Sequence, residues 1–297
     1  MKMKRAWCPG SLGELVQGTW EGKEVLISLT IDRYSEMEAE LVETVDSKSL
    51  ESMQRLWKSK QAMELILQEW GLEDLTKKII FRRRRSITEG KGYASSTADI
   101  TALLAALALL MERDLREEDI ARIALRVEPS DGIIFSKMCI FDHLQGTILV
   151  RFPVPKYLGV VGVELPGILD TLSVNRNWMR NQWERQQKDL TEAFNQAQRG
   201  LEENDLFLLG KAATLSSWIA QSIFPEPIFK KLIDICFSIG GLGINRAHTG
   251  KAFGILFDTR VYLPKEMIQR AQDALKDENV TVFYNKVISG GARMINL

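Results

Sequence analysis

The run Glu89-Gly90-Lys91-Gly92-Tyr93-Ala94-Ser95-Ser96-Thr97-Ala98-Asp99 constrains this chain more than any other. Two glycines bracket a lysine, hydroxyls follow, and an apolar stretch at helical spacing begins at once. Glycine lets a backbone turn tightly and approach a ligand closely. Ser95, Ser96 and Thr97 then fall at the start of a helix, where unpaired N–H groups and the positive dipole end favour an anion. Hydroxyls there can cap the helix, bind phosphate oxygens or ligate a magnesium ion. Together these features point to a nucleotide phosphate site, and so to phosphoryl transfer.

Two other phosphate loops fit less well. The Walker loop carries its lysine after the second glycine, next to Ser/Thr, whereas Lys91 lies between the glycines. Gly90-x-Gly92-x-x-Ser95 is nearer the dinucleotide fingerprint, which needs an acid about 20 residues on at the end of a second strand. Glu112 and Asp114 have about that spacing, but they follow an apolar helix with no strand to carry them.

Lys+Arg and Asp+Glu both number 39, so no global field draws the chain to nucleic acid or to anionic lipid. Cys8, Cys139 and Cys236 are far apart and read as reduced, buried thiols, and two histidines are too few for a histidine metal site. The basic start reaches Trp7-Cys8-Pro9-Gly10 with no apolar core, unlike a signal peptide, and residues 100–111 are too short to span a bilayer. The expected location is the cytoplasm, with no membrane or nucleic-acid partner.

Glu21-Gly22 reads as a hairpin turn between two strands, the second alternating over residues 25–31. Residues 37–45 and 77–87 are further expected strands. Helices are expected over 50–70, 97–111 and 117–126, the last stopped by Pro129. A strand pair over 139–152 precedes Pro153-x-Pro155, where the domain boundary is placed, giving units of residues 1–153 and 154–297. The second half reads as a strand over 158–165, helices over 176–203, 206–223 and 228–238, a glycine cluster, and strands over 253–257 and 281–287. Helices and strands are interspersed in both halves, an α+β pattern of two domains.

Val127-Glu128-Pro129-Ser130-Asp131-Gly132 places two carboxylates on an irregular turn. One can hold Mg²⁺ with Ser96 while the other takes the proton of an attacking hydroxyl. A third cluster centres on Arg246-Ala247-His248-Thr249-Gly250-Lys251, where glycines beside a strand allow close approach to a ligand or to another loop. Arg82-Arg83-Arg84-Arg85 alternates faces as a strand and reads as a solvated strand end that adds positive potential near phosphates. Trp178 and Trp183 are assigned to core or to a partner helix.

With these clusters in place, the chain resembles the GHMP kinase superfamily. The matching stretches are Pro9-Gly10-Ser11-Leu12-Gly13-Glu14, then Gly90-Lys91-Gly92-Tyr93-Ala94-Ser95-Ser96, then Ala247-His248-Thr249-Gly250-Lys251-Ala252-Phe253-Gly254. Within that family the motifs look most like those of the L-threonine kinases of cobalamin synthesis, which phosphorylate the side-chain hydroxyl of threonine with ATP.

The resemblance implies a two-domain α+β GHMP-kinase-like fold with the active site in the cleft between the domains. It implies that Glu89, Gly90, Lys91, Gly92, Tyr93, Ala94, Ser95, Ser96 and Thr97 bind ATP. Ser96 and Glu128 would hold Mg²⁺, Asp131 would act as the base, and Lys91 would screen phosphate charge. Glu14 and Gln17 would lie near the substrate, with His248 and Thr249 as further candidates. Another small alcohol such as homoserine, or nucleotide sensing without transfer, are the alternatives. Thr88, Ser11 and Lys251 depart from the family pattern, the second arguing against a sugar kinase.

Overall fold

A computed structural model of the chain describes residues 2–167, 175–247 and 250–295. The first two strands, β1 (Met3–Trp20) and β2 (Lys23–Leu41), form a long antiparallel hairpin. Its turn is Glu21-Gly22, with φ of 50° and 76°. Two successive left-handed residues give the turn whose twist matches the flanking strands. The pairing is irregular between Pro9 and Val16, which re-aims the side chains of the first glycine motif.

Among the described residues ten strands form one sheet. Next along the chain come β3 (Ile79–Arg85), β4 (Met138–Asp142), β5 (Ile148–Phe152) and β6 (Leu158–Glu164). They are followed by β7 (Gly243–Arg246), β8 (Ala252–Asp258), β9 (Thr281–Lys286) and β10 (Arg293–Ile295). The strand order is β5-β4-β2-β1-β7-β8-β6-β9, with β10 on β1 and β3 on β2. The expected boundary at Pro153 falls between β5 and β6, and the sheet runs across both halves of the chain. Glu14 pairs with Arg246, Arg5 with Ile295, and Ile31 bridges to Val287.

The central helix α3 (Ser95–Met111) packs on β1 and β2 and is buried on nearly every side. Two neighbours cover its outer face, α2 (Trp57–Glu69) and α4 (Glu117–Val127). That is why its sequence is apolar all round rather than striped. The expected helix over 50–70 is two helices, α1 (Ser47–Arg55) and α2, broken at Leu56 with φ −103° and ψ 46°. The expected helix over 176–203 likewise divides at Gln186 into α5 (Arg176–Arg185) and α6 (Gln187–Glu203). Neither break carries Gly or Pro, so neither announces itself in the sequence.

Beyond them, α7 (Leu206–Ile223), α8 (Phe229–Ser238) and α9 (Pro264–Ala274) complete the described helices. The largest core joins Leu12, Leu103 and Phe141 to Val160, Phe194 and Leu256, residues of both halves. Trp183 is fully buried, whereas Trp178 is largely exposed and only edges Phe224. All three cysteines are buried free thiols. Among the described residues no helix is long and apolar enough to cross a membrane.

Candidate active site

The glycine loop before α3 is held by its carbonyls. Ser11 N donates to Tyr93 O at 3.1 Å, Gly13 N to Gly92 O at 3.2 Å, and Lys251 N to Lys91 O at 3.2 Å. The first and third glycine motifs therefore clasp the second from both sides. Gly92 has φ 86°, and a Cβ there would lie 2.1 Å from the Ala247 Cβ, so both conformation and space demand glycine. Ala94 occupies the N-cap of α3 in the left-handed region, with φ 55°, and gives the helix no side-chain cap. The first-turn N–H groups of α3 are thus left for an anion.

The loop forms one wall of a cavity of about 850 Å³. Glu89, Gly90, Gly92, Tyr93, Ala94, Ser95, Ser96 and Thr97 all line it, as do Glu128, Asp131, Glu14 and Gln17. Lys91 does not. Its buried ammonium donates to Leu165 O at 2.7 Å and sits 3.3 Å from Glu164, so it is directed away from the expected role of phosphate screen. It ties the loop to the end of β6, as does Tyr93, whose hydroxyl donates to Glu164 at 2.7 Å. The remaining expected substrate contacts, His248 and Thr249, lie outside the described residues. Lys251, unusual at its position, pairs with Glu226.

Pro129 does end α4, and Glu128 stands extended just past it. The Ser96 hydroxyl donates to Glu128 Oε1, and Lys58 Nζ lies 2.5 Å from Glu128 Oε2. Asp131 is half-buried, and its Oδ2 accepts from the Thr97 hydroxyl at 3.2 Å. Burial, then the negative charges of Glu14 and Glu128, push its carboxyl up to about 7, against the hydrogen bond from Thr97. A carboxyl near neutrality is suited to taking a proton from an alcohol.

The residues present fit a nucleotide with a divalent ion. Ser96 and Glu128 offer hard oxygen donors that already converge. Among the described residues no group of three or more His, Cys, Asp and Glu side chains could hold a metal. An ion here would therefore take its remaining ligands from phosphate and water, which is the habit of Mg²⁺.

Asp99, the last residue of the glycine run, also lines the cavity, and other lining residues were not singled out from the sequence: Arg55, Trp57, Lys58, His143 and Arg176. Of the arginine run, Arg82 and Arg84 turn to Glu38, which is buried, while Arg83 binds Glu89 and Asp99 from the cavity side. The alternation of faces is as expected for a strand. His143 is buried with its Nδ1 unpartnered, and burial followed by Arg176 lowers it to about 4. Its lone place in the sequence carried no signal, because the cavity only forms when β4 reaches β2.

Residues 57–137 match the family described as GHMP kinases N terminal domain. The chain is 29% identical to an L-threonine kinase of Salmonella typhimurium over 295 residues, covering 97% of this chain and 95% of that one. It is 30% identical to an L-threonine kinase of Citrobacter freundii over 257 residues, covering 86% and 87% respectively. Among solved structures, a homoserine kinase from Cytophaga hutchinsonii superposes with a TM-score of 0.73 at 15% identity, over 99% of this chain and 98% of that one. The chain belongs to the GHMP kinase family, and it is a small-molecule kinase that phosphorylates an alcohol.

Proposed function

We propose that this enzyme transfers the γ-phosphoryl group of ATP to the side-chain hydroxyl of L-threonine, in the cytoplasm. The product, O-phospho-L-threonine, would serve the aminopropanol arm of cobalamin. The reading is carried by one convergence: the Ser96–Glu128 pair and Asp131 share a cavity wall with an uncapped helix N-terminus. The choice of threonine is supported by two L-threonine kinases that resemble this chain over most of its length. Residues 1–153 would form the ATP-binding unit and residues 154–297 the second unit.

In the transfer, the threonine oxygen attacks the γ-phosphorus from the side opposite the leaving ADP. Asp131 accepts the hydroxyl proton as the new O–P bond forms. The bond from phosphorus to the β,γ-bridging oxygen breaks, and its electron pair leaves on ADP. Ser96 and Glu128 would hold Mg²⁺, which supplies charge neutralisation to the phosphates when bound. The backbone N–H groups at the start of α3 do the positioning, and Glu14 and Gln17, which line the same cavity, would contact the acceptor.

A coupled ADP-release assay with threonine, serine and homoserine tests the acceptor. Turnover should depend on threonine, and release with homoserine alone, or with no amino acid at all, would sink this reading. Ser96→Ala and Glu128→Gln should each raise the Mg²⁺ concentration for half-maximal rate by about tenfold or more. An unchanged magnesium curve in both variants would remove them from the metal site.

A further inference from the structure

We propose that Lys58 is a catalytic cation of this kinase, its ammonium contacting the non-bridging oxygens of the transferring phosphoryl group. This rests on the reading of the glycine loop as the phosphate site. It does not depend on which alcohol is the acceptor.

The transferring group spreads negative charge over its equatorial oxygens, and catalysis consists largely of positioning that charge and stabilising it. Apart from Arg55, which also lines the cavity, the other basic side chains near it are held by groups away from the Ser96–Glu128 pair. Lys91 is buried against Leu165 O and Glu164. Arg83 is bound by Glu89 and Asp99, and Arg176 by Glu24. Lys58 lines the cavity with its Nζ 2.5 Å from Glu128 Oε2, while the other oxygen of that carboxylate accepts the Ser96 hydroxyl. The ammonium is therefore one carboxylate away from the N-terminus of α3, where the phosphates would dock.

Its position on α2 favours the same conclusion. The break at Leu56 starts α2 at Trp57, so Lys58 stands in the first turn of a helix that carries no acid there. A cation at that end opposes the helix dipole, and its place is not explained by helix stability. Glu128, which with Ser96 would hold the metal ion, also anchors Lys58, so the ammonium would stand beside phosphates docked at the start of α3.

The experiment compares Lys58→Met with Lys60→Met, a control one residue pair along the same helix whose wild-type lysine pairs with Glu64. Affinities for Mg·ADP and Mg·AMP-PNP are measured by calorimetry, alongside kcat and Tm. Lys58→Met should weaken AMP-PNP by about tenfold and ADP by less than about twofold. Its kcat should fall by about 10²-fold, and Lys58→Arg should restore part of the AMP-PNP preference. Lys60→Met should change none of these. In the wild-type enzyme, Mg·AMP-PNP should protect Lys58 from reductive methylation more than Mg·ADP does, a readout that does not need the variant to fold. Equal loss of both nucleotides, no loss of either, or equal methylation with both would overturn the proposal and leave the loop as the phosphate site. A wild-type chain that binds neither nucleotide would overturn the site and the proposal together.

Discussion

Asp131 sits where burial, Glu14 and Glu128 all oppose its ionisation, and the Thr97 hydroxyl relieves this only in part. A base must be unprotonated, so kcat/KM should fall as the pH drops through about 7, and Asp131→Asn should abolish that limb while lowering kcat about 10²–10⁴-fold. Stability runs the other way. A carboxyl raised above its unfolded value contributes stability below the unfolded value of 3.8, and that contribution is lost as pH rises through about 7. Asp131→Asn should therefore be more stable than wild type at pH 8, by on the order of 1–3 kcal/mol because the side chain is only half-buried. Near pH 4 the two should melt together. Thermal denaturation at both pH values checks this, and a variant less stable at pH 8 would contradict it. The turn that carries this residue was legible in the sequence, because Glu128, Pro129 and Asp131 are close enough to read as one irregular stretch. The direction of Lys91 was not legible, because it is set by Leu165 and Glu164, far along the chain.

Among the elements, the glycine loop depends on β1 and on the turn before β8, which clasp it. Gly92→Ala places a methyl against Ala247 and forces a left-handed φ on a residue with a side chain. The expected cost is about 1–3 kcal/mol in stability, with a weaker nucleotide Kd. Calorimetry with ADP and a melting curve measure both, and a variant that binds and melts as wild type would show the contact to be slack. The loop, the helix after it and the turn after α4 were all legible, since each is a local run with glycine, proline or apolar spacing. The helix breaks at Leu56 and Gln186 were not, because tertiary packing makes them without any breaking residue. Trp57 and Lys58 line the cavity from the first turn after that break, and nothing in the sequence singled them out.

For the whole molecule, strand pairing and the largest core both cross the boundary expected at Pro153. Heating should therefore give a single calorimetric transition, with matched van't Hoff and calorimetric enthalpies. Two separated transitions would show that the halves melt on their own. The mixed α+β class was readable from the interspersed elements, but the joining of the two halves into one sheet was not, since pairings such as Glu14 with Arg246 have no local signature. The hydrogen bonds from Ser11, Gly13 and Lys251 onto three successive loop carbonyls carry a consequence for engineering. Grafting the loop alone into a relative would strand it without its supports, so a working chimera must transplant all three stretches as a set.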